Sequence, residues 1–216
     1  RRLRHVCGQI DRLEGGFRDA SVAHGTENFH VRAGAGDPVK AAEMREDALE
    51  WILGVAAPRY DFVIFDVGVC SNPLSRVALD RSDQIELVLQ PAMPHVRAGR
   101  RLLEILVSLG YSTDQMRLIV NRATRASDRI RAALEEVLGL HAACTIPDDA
   151  DTVLDAINQG HPVSRVARGT GVVRALQGYA KQLVEGEVRA GHGATHSEPL
   201  MSRLFGHKAT PKLKSM

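Results

Sequence analysis

No stretch of this chain approaches the roughly 20 consecutive apolar residues that a helix needs to cross a bilayer. Cysteine is scarce: Cys7, Cys70 and Cys144 are widely spaced and form no CxxC pair. That argues against a disulfide framework or a thiolate metal site, and fits a reducing cytoplasm. Charge of one sign is lacking as well. A net charge of +2 over 216 residues gives composition no part in a case for nucleic-acid or membrane binding. Lysine is nearly missing from the body of the chain, where Lys40 is the sole example before Lys181. The most telling absence is GxxxxGK[ST], the loop whose glycines expose backbone N–H groups to phosphate and whose lysine reaches the terminal phosphates. Lys40 lies in DPVKAAEM, and Gly169-Thr170-Gly171 runs on into Val172-Val173 without a lysine. Ser75, Ser127 and Ser164 have no elbow motif or paired base, which speaks against nucleophilic catalysis. His192 and His196 have metal-like spacing but sit in Gly/Ser-rich surroundings, where solvated histidines are the plainer reading.

What is present is enough apolar content, 44%, to bury a sizeable core. Leu3, Val6, Ile10, Leu13 and Phe17 recur at steps of three and four, as on one face of a helix. A short strand is expected over 27–32, then a glycine-rich loop at Gly34 and Gly36. Asp37-Pro38 opens a helix running to about Ala57, closed by Pro58. After an apolar strand at 60–67 the alternation is regular. Helices are expected at 74–79, 94–109, 127–138, 149–158 and 171–184, with strands at 85–89, 117–121 and 142–146. Ser127 is the expected N-cap of its helix, and Gly139 the stop. Strands separated by such helices imply βαβ crossovers, hence an α/β fold with a mostly parallel sheet and helices on both faces. Residues 1–186 are expected to form this domain. Residues 187–216, rich in Gly, His, Ser and Lys, read as a flexible basic tail.

The segment Tyr60-Asp61-Phe62-Val63-Ile64-Phe65-Asp66-Val67-Gly68 is an apolar run ending in a carboxylate and a glycine turn. Such a run suits a strand buried on both faces, and its carboxyl end is where open α/β sheets place ligands. This is the layout of a Walker B strand, whose carboxylate, here Asp66, holds the water shell of a nucleotide-bound magnesium. The plainer alternative is a core strand ending in a turn aspartate. Two further strand ends fall on the same sheet edge: Asn121 after Leu118-Ile119-Val120, and Pro147-Asp148 after Cys144-Thr145-Ile146. An amide offers a donor and an acceptor in one plane, which suits a purine edge, and a proline turn supplies a rigid apolar wall. Taken singly, Asn121 is a strand cap and Pro147-Asp148 a turn with an N-cap. In this order and spacing the joint reading is a nucleotide pocket.

These stretches carry a resemblance. YDFVIFDVG (60–68), LVLQPAMPHVRAGRRLLEIL (87–106), LIVNRA (118–123) and IPDDADTVLDAINQGHPV (146–163) are similar to the MinD/ParA group of deviant Walker A ATPases. Within it, the chain most resembles the CpaE/TadZ proteins of Flp-type, tight-adherence pilus assembly. The resemblance spans most of 27–184 and implies a P-loop NTPase fold acting on ATP with Mg2+. It implies a homodimer whose nucleotide state controls where the pilus secretion machinery assembles, in the cytoplasm and peripherally at the inner membrane or cell pole. Asp66 would serve the magnesium and the attacking water. Asn121 would contact adenine, and Pro147 with Asp148 would flank the base.

The sequence departs from that family in two places. Its usual prolines after the Walker B aspartate are replaced by Val67-Gly68-Val69-Cys70. Its phosphate loop would lie upstream of Arg1. The chain is therefore expected either to be a fragment of a longer protein or a degenerate, non-hydrolysing scaffold, and the absent initial Met favours the fragment. No ATP hydrolysis is expected of these residues alone. The phosphate-loop strand would neighbour 60–67 in the family's sheet, so the segment is expected to lose a partner and the sheet to be unstable or altered. Other signals are weaker. Arg97, Arg100, Arg101, Arg122, Arg125, Arg129 and Arg131 are read as a solvated helix face rather than a DNA surface. Leu200, Met201, Leu204 and Phe205 lie at helical spacing with basic residues nearby, as in a short helix that rests weakly in a membrane interface through 200–208. Residues 202–206 resemble the membrane-targeting tail of MinD; a disordered basic tail is the plainer alternative.

Overall fold

A computed structural model of the chain describes residues 23–26, 29–31, 46–68 and 73–193. The expectations for 3–17, Gly34, Gly36, Asp37-Pro38, Lys40, Cys7, Cys70, His196 and the 200–208 segment lie outside the described residues. Contacts divide the chain into two units, Arg1–Ile85 and Glu86–Met216.

In the first unit, β1 (Ala23–Thr26) and β2 (Phe29–Val31) pair antiparallel as a hairpin, where sequence patterning suggests one short strand. The helix α1 (Glu46–Ala56) ends in a tight 3₁₀ turn, Ala57–Arg59, that carries Pro58. Helix α2 (Pro73–Asp80) matches the expected short helix. Ala48 and Leu49 of α1 and Val77, Ala78 and Leu79 of α2 are buried. The Tyr60 hydroxyl and His30 Nδ1 lie 2.7 Å apart with their rings edge-on, which ties the hairpin to the start of the 60–68 segment.

The expected strand at 60–67 is not a strand in this structure. Tyr60 is extended, but residues 60–68 belong to no sheet among the described residues. Ile64 is 88% exposed, and Tyr60, Phe62, Val63 and Phe65 are exposed too. An apolar run encodes a demand for burial, whereas a strand needs a neighbour to receive its N–H and C=O groups. No described segment supplies that neighbour.

The second unit contains a three-stranded sheet in the order β3 (Ile85–Leu89), β4 (Met116–Ala123), β5 (Ala142–Pro147). β4 and β5 run parallel. Helix α3 (Met93–Ser108) joins β3 to β4, and α4 (Asp128–Leu138) joins β4 to β5. They bury Val96 and Leu134 with Leu138 against Leu89, Leu118 and Val120. α4 stops at Gly139, whose φ of 63° is the left-handed cap that glycine adopts without strain. Ser127 precedes α4 but makes no side-chain cap; its hydroxyl donates to the Thr124 carbonyl and accepts from the Thr124 N–H, closing the 3₁₀ turn before the helix. β3 buries Ile85, Leu87 and Leu89 and exposes Glu86 and Val88, the alternation of a strand with one face in the core.

After β5 come α5 (Ala150–Asn158), the short α6 (Val163–Val166) and the long α7 (Gly171–Gly193). α7 continues past Glu185, where composition suggests a tail. It lies across the other sheet face: Cys144 Sγ donates to the Ala175 carbonyl, and the Tyr179 hydroxyl donates to Glu86 on β3. Burial and that bond to a carboxylate push the Tyr179 phenol above its ordinary value of 10.0. The contribution of this contact to stability is therefore complete below pH 10.0 and fades as pH rises toward the raised folded value.

Exposed apolar backbone without a ladder, as at 60–65, is a template for association. Ile64→Lys should raise the concentration at which the chain self-associates by roughly an order of magnitude in sedimentation velocity, with the far-ultraviolet circular dichroism unchanged. Equal association of the variant and the parent would show that 60–65 does not drive it.

Candidate nucleotide site

The parallel pair β4 and β5 brings three of the four expected site residues together. Leu118 lies opposite Ala142, and the register slips by one residue so that Ile119 faces Cys144. It slips again between Val120 and Ala123, which ends opposite Pro147. The second slip places one extra residue in β4, at Asn121-Arg122. Extra residues of this kind re-aim side chains at strand ends and recur beside ligand sites.

The backbone at that point is unusual. Arg122 has φ 57°, the one positive φ at a non-glycine residue among those described. A side chain in the left-handed region costs about 1–2 kcal/mol, so neighbouring contacts must hold it. Three do. The Arg122 N–H donates to Asn121 Oδ1 at 3.0 Å. The Arg122 Nε donates to Asp148 Oδ1 at 2.9 Å, as an ion pair between half-exposed side chains. The Asp148 N–H donates to the Ala123 carbonyl at 2.9 Å, joining the exits of the two strands through the main chain.

The first contact also settles which end of the Asn121 amide is which. A backbone N–H needs an acceptor, so the atom it meets is the oxygen. One Oδ1 lone pair and both Nδ2 protons remain for a ligand. Asn121 is half-buried, as is Pro147. Behind the Pro147 ring stands Gly171 at the start of α7, so close that a Cβ there would lie 2.9 Å from Pro147 Cγ. The helix is anchored by Thr170, whose hydroxyl accepts from Val173 N–H and donates to the Ala167 carbonyl. An amide edge, a braced proline wall and a neutralised carboxylate thus share one sheet edge. That arrangement can receive a flat heteroaromatic group carrying paired donors and acceptors.

Asp66 belongs to the first unit. It is exposed, and its Oδ1 accepts from Gly68 N–H at 3.3 Å in a turn where Gly68 has φ 57°. The remaining oxygen fits a water-mediated contact to magnesium, which keeps much of its water shell and takes one or two carboxylates along with substrate phosphates. Among the described residues no group of three or more His, Cys, Asp or Glu forms a metal cluster. Of the arginines, Arg100 pairs with Glu104 and Arg131 with Asp128 and Glu135, each within its own helix.

Two residues of the site carry no signal in the sequence. Arg122 groups by position with the helix-face arginines, whereas the structure gives it to Asp148. Gly171 reads only as part of a glycine pair without a lysine, whereas the structure sets it behind Pro147. Neither a left-handed backbone at an arginine nor an approach between residues 24 positions apart leaves a local pattern.

The arrangement of the elements decides the fold. A ParA family ATPase from Chlorobium tepidum superposes with a TM-score of 0.77 at 22% identity, over 83% of this chain and 75% of that one. MinD complexed with Mg-ADP from Pyrococcus horikoshii superposes with a TM-score of 0.68 at 18% identity, over 91% and 77%. This is the MinD/ParA fold. No family model matches the chain. By sequence, the septum site-determining protein MinD of Thermotoga maritima is 25% identical over 112 residues, 50% of this chain. The match spans 41% of that curated relative. The expected architecture, an α/β P-loop-type fold with a parallel sheet and helices, is the one observed.

Within this MinD/ParA-type sheet the Pro147 wall depends on glycine at 171. Gly171→Ala should displace the proline ring and lower the unfolding free energy by about 1–2 kcal/mol, read from urea denaturation. Amide shifts at Asn121, Arg122 and Asp148 should move with it in heteronuclear NMR. Unchanged shifts at these three residues would mean that α7 does not brace the turn.

Proposed function

We propose that this chain carries the adenine-binding end of an ATPase of the MinD/ParA type, acting in CpaE/TadZ-like localisation of the Flp pilus secretion machinery. The observation that carries the reading is the convergence of Asn121, Pro147 and Asp148 at the edge of β4 and β5. The Asn121 amide can accept from the adenine amino group and donate to the adjacent ring nitrogen. Pro147 offers the base an apolar face held by Gly171. ATP with Mg2+ is the ligand, in keeping with the Mg-ADP named for the Pyrococcus horikoshii relative. Asp66 positions magnesium and the attacking water, and phosphate recognition requires a glycine loop beyond these residues.

ATP supports a homodimer, and its ATP or ADP state directs the protein to the inner membrane or cell pole, where it recruits pilus secretion proteins. Support for the pilus role is the sequence likeness of 87–106, 118–123 and 146–163. The likeness to the Thermotoga maritima MinD supports a partitioning or septum-site ATPase as the alternative. A non-hydrolysing scaffold is favoured by one observation: Asp66 sits exposed, bonded to its own turn, on a segment outside any described sheet.

Adenosine separates the base-binding reading from phosphate chemistry, because it lacks phosphates altogether. Titrated against the chain by NMR, it should shift Asn121 and Asp148 amides. Asn121→Ala should weaken it about tenfold, as loss of one or two hydrogen bonds implies. Binding that ignores the substitution would remove Asn121 from the site. In cells, loss of the gene should abolish Flp pili and leave chromosome segregation intact; the reverse pattern would favour the partitioning reading.

A further inference from the structure

The Arg122–Asp148 ion pair is the one feature of the edge that base binding by Asn121 and Pro147 leaves unexplained. It spans 26 residues of sequence, closes at 2.9 Å and accompanies a backbone conformation that arginine disfavours. A carboxylate placed immediately after the proline wall would have a chemical consequence if left free. Carboxylates accept from two parallel donors, and the Watson–Crick edge of guanine presents two, N1–H and the 2-amino group. Adenine presents an unprotonated N1 at the same place, so a free carboxylate would repel it. Here Asp148 Oδ1 already accepts from the Arg122 guanidinium, and the charge is balanced.

The amide points the same way. Asn121 Oδ1 is fixed by the Arg122 N–H, so the amide presents one acceptor and one donor side by side. That pair matches the amino group and N7 of adenine. The corresponding edge of guanine has two acceptors, O6 and N7, and would meet the amide oxygen unfavourably. Arg122 thus contributes twice: its main-chain N–H orients the amide, and its side chain withdraws the carboxylate.

We propose that Arg122 is the specificity-determining residue of the base pocket, selecting adenine over guanine by holding Asp148 out of reach of guanine's donor edge. The inference rests on the base-binding reading above and deepens it. Arg122 acts here as a positioning residue through Asn121 and Asp148.

The test uses the full chain and two probes, adenosine and guanosine, titrated by NMR against the wild type and three variants. Arg122→Gly keeps the positive φ without strain while freeing Asp148. Asp148→Asn removes the carboxylate, and the double variant removes both partners. The wild type should prefer adenosine by tenfold or more. Arg122→Gly should bind guanosine about tenfold more tightly than the wild type does and adenosine more weakly, narrowing or reversing the preference. The double variant should lose the gain for guanosine, because the gain requires the carboxylate. Asp148→Asn alone should not acquire guanosine binding.

If Arg122→Gly binds adenosine but gains nothing for guanosine, the specificity role is overturned and the base pocket stands. If the gain persists in the double variant, it comes from loosening rather than from the carboxylate, and the proposal also falls. If the wild type binds neither nucleoside, the base-binding reading itself is overturned, and this inference with it. Urea midpoints of the variants guard against a folding defect. Should Arg122→Gly fail to fold, Arg122→Asn takes its place, since asparagine also tolerates the left-handed region and likewise frees Asp148; the same gain for guanosine is expected of it, and its absence overturns the proposal.

Discussion

The main-chain hydrogen bond from the Asp148 N–H to the Ala123 carbonyl is the contact on which the site depends. It joins two parallel strands after their register has slipped, at a point where each would otherwise leave the sheet independently. With that bond made, β4 must accommodate an extra residue between Val120 and Ala123. The surplus is taken up at Arg122 by a left-handed turn. The turn brings its own N–H to Asn121 and its guanidinium to Asp148. A strained backbone persists where surrounding contacts over-determine it, and here three bonds converge on two residues.

How much of this can be read in the sequence follows from which interactions are local. β3 shows a period of two in Ile85-Glu86-Leu87-Val88-Leu89, and the structure buries alternate residues as that period demands. Gly139 and the apolar spacing of 128–138 mark a helix and its stop, because capping involves only neighbours along the chain. Asn121, Pro147 and Asp148 are legible as strand-end residues and do meet at one edge. The segment 60–67 is legible as apolar but not as paired: pairing belongs to two segments, and pattern reports on one. The β1–β2 hairpin and the full length of α7 fail for the same reason in reverse. Contacts made there, such as Tyr60 with His30 and Tyr179 with Glu86, join residues 30 and 93 positions apart.

In the second unit one helix ties two strands of the sheet and the Pro147 turn together. α7 reaches β5 through Cys144 and β3 through Tyr179, so it is registered along the sheet rather than merely packed on it. Its buried Val172 and Val173 fix the first turn, and that turn carries Gly171 against Pro147. Burial and the nearby Glu86 push the Cys144 thiol above its ordinary value, which keeps it a neutral packing group rather than a reactive one. The position of the Pro147 ring is therefore set by interactions distributed over the sheet face.

All of the bonds that shape the β4–β5 edge lie within Glu86–Met216, while Asp66 lies within Arg1–Ile85 and bonds to Gly68. Asp66 and the edge residues thus have no hydrogen-bond partner in common. Substitutions inside one hydrogen-bond network couple rather than add. Changes at Asn121, Arg122 and Asp148 should therefore be non-additive in stability, because Arg122 bonds to both of the others. Such coupling separates an edge assembled around one local turn from a set of residues that merely line up along a sheet.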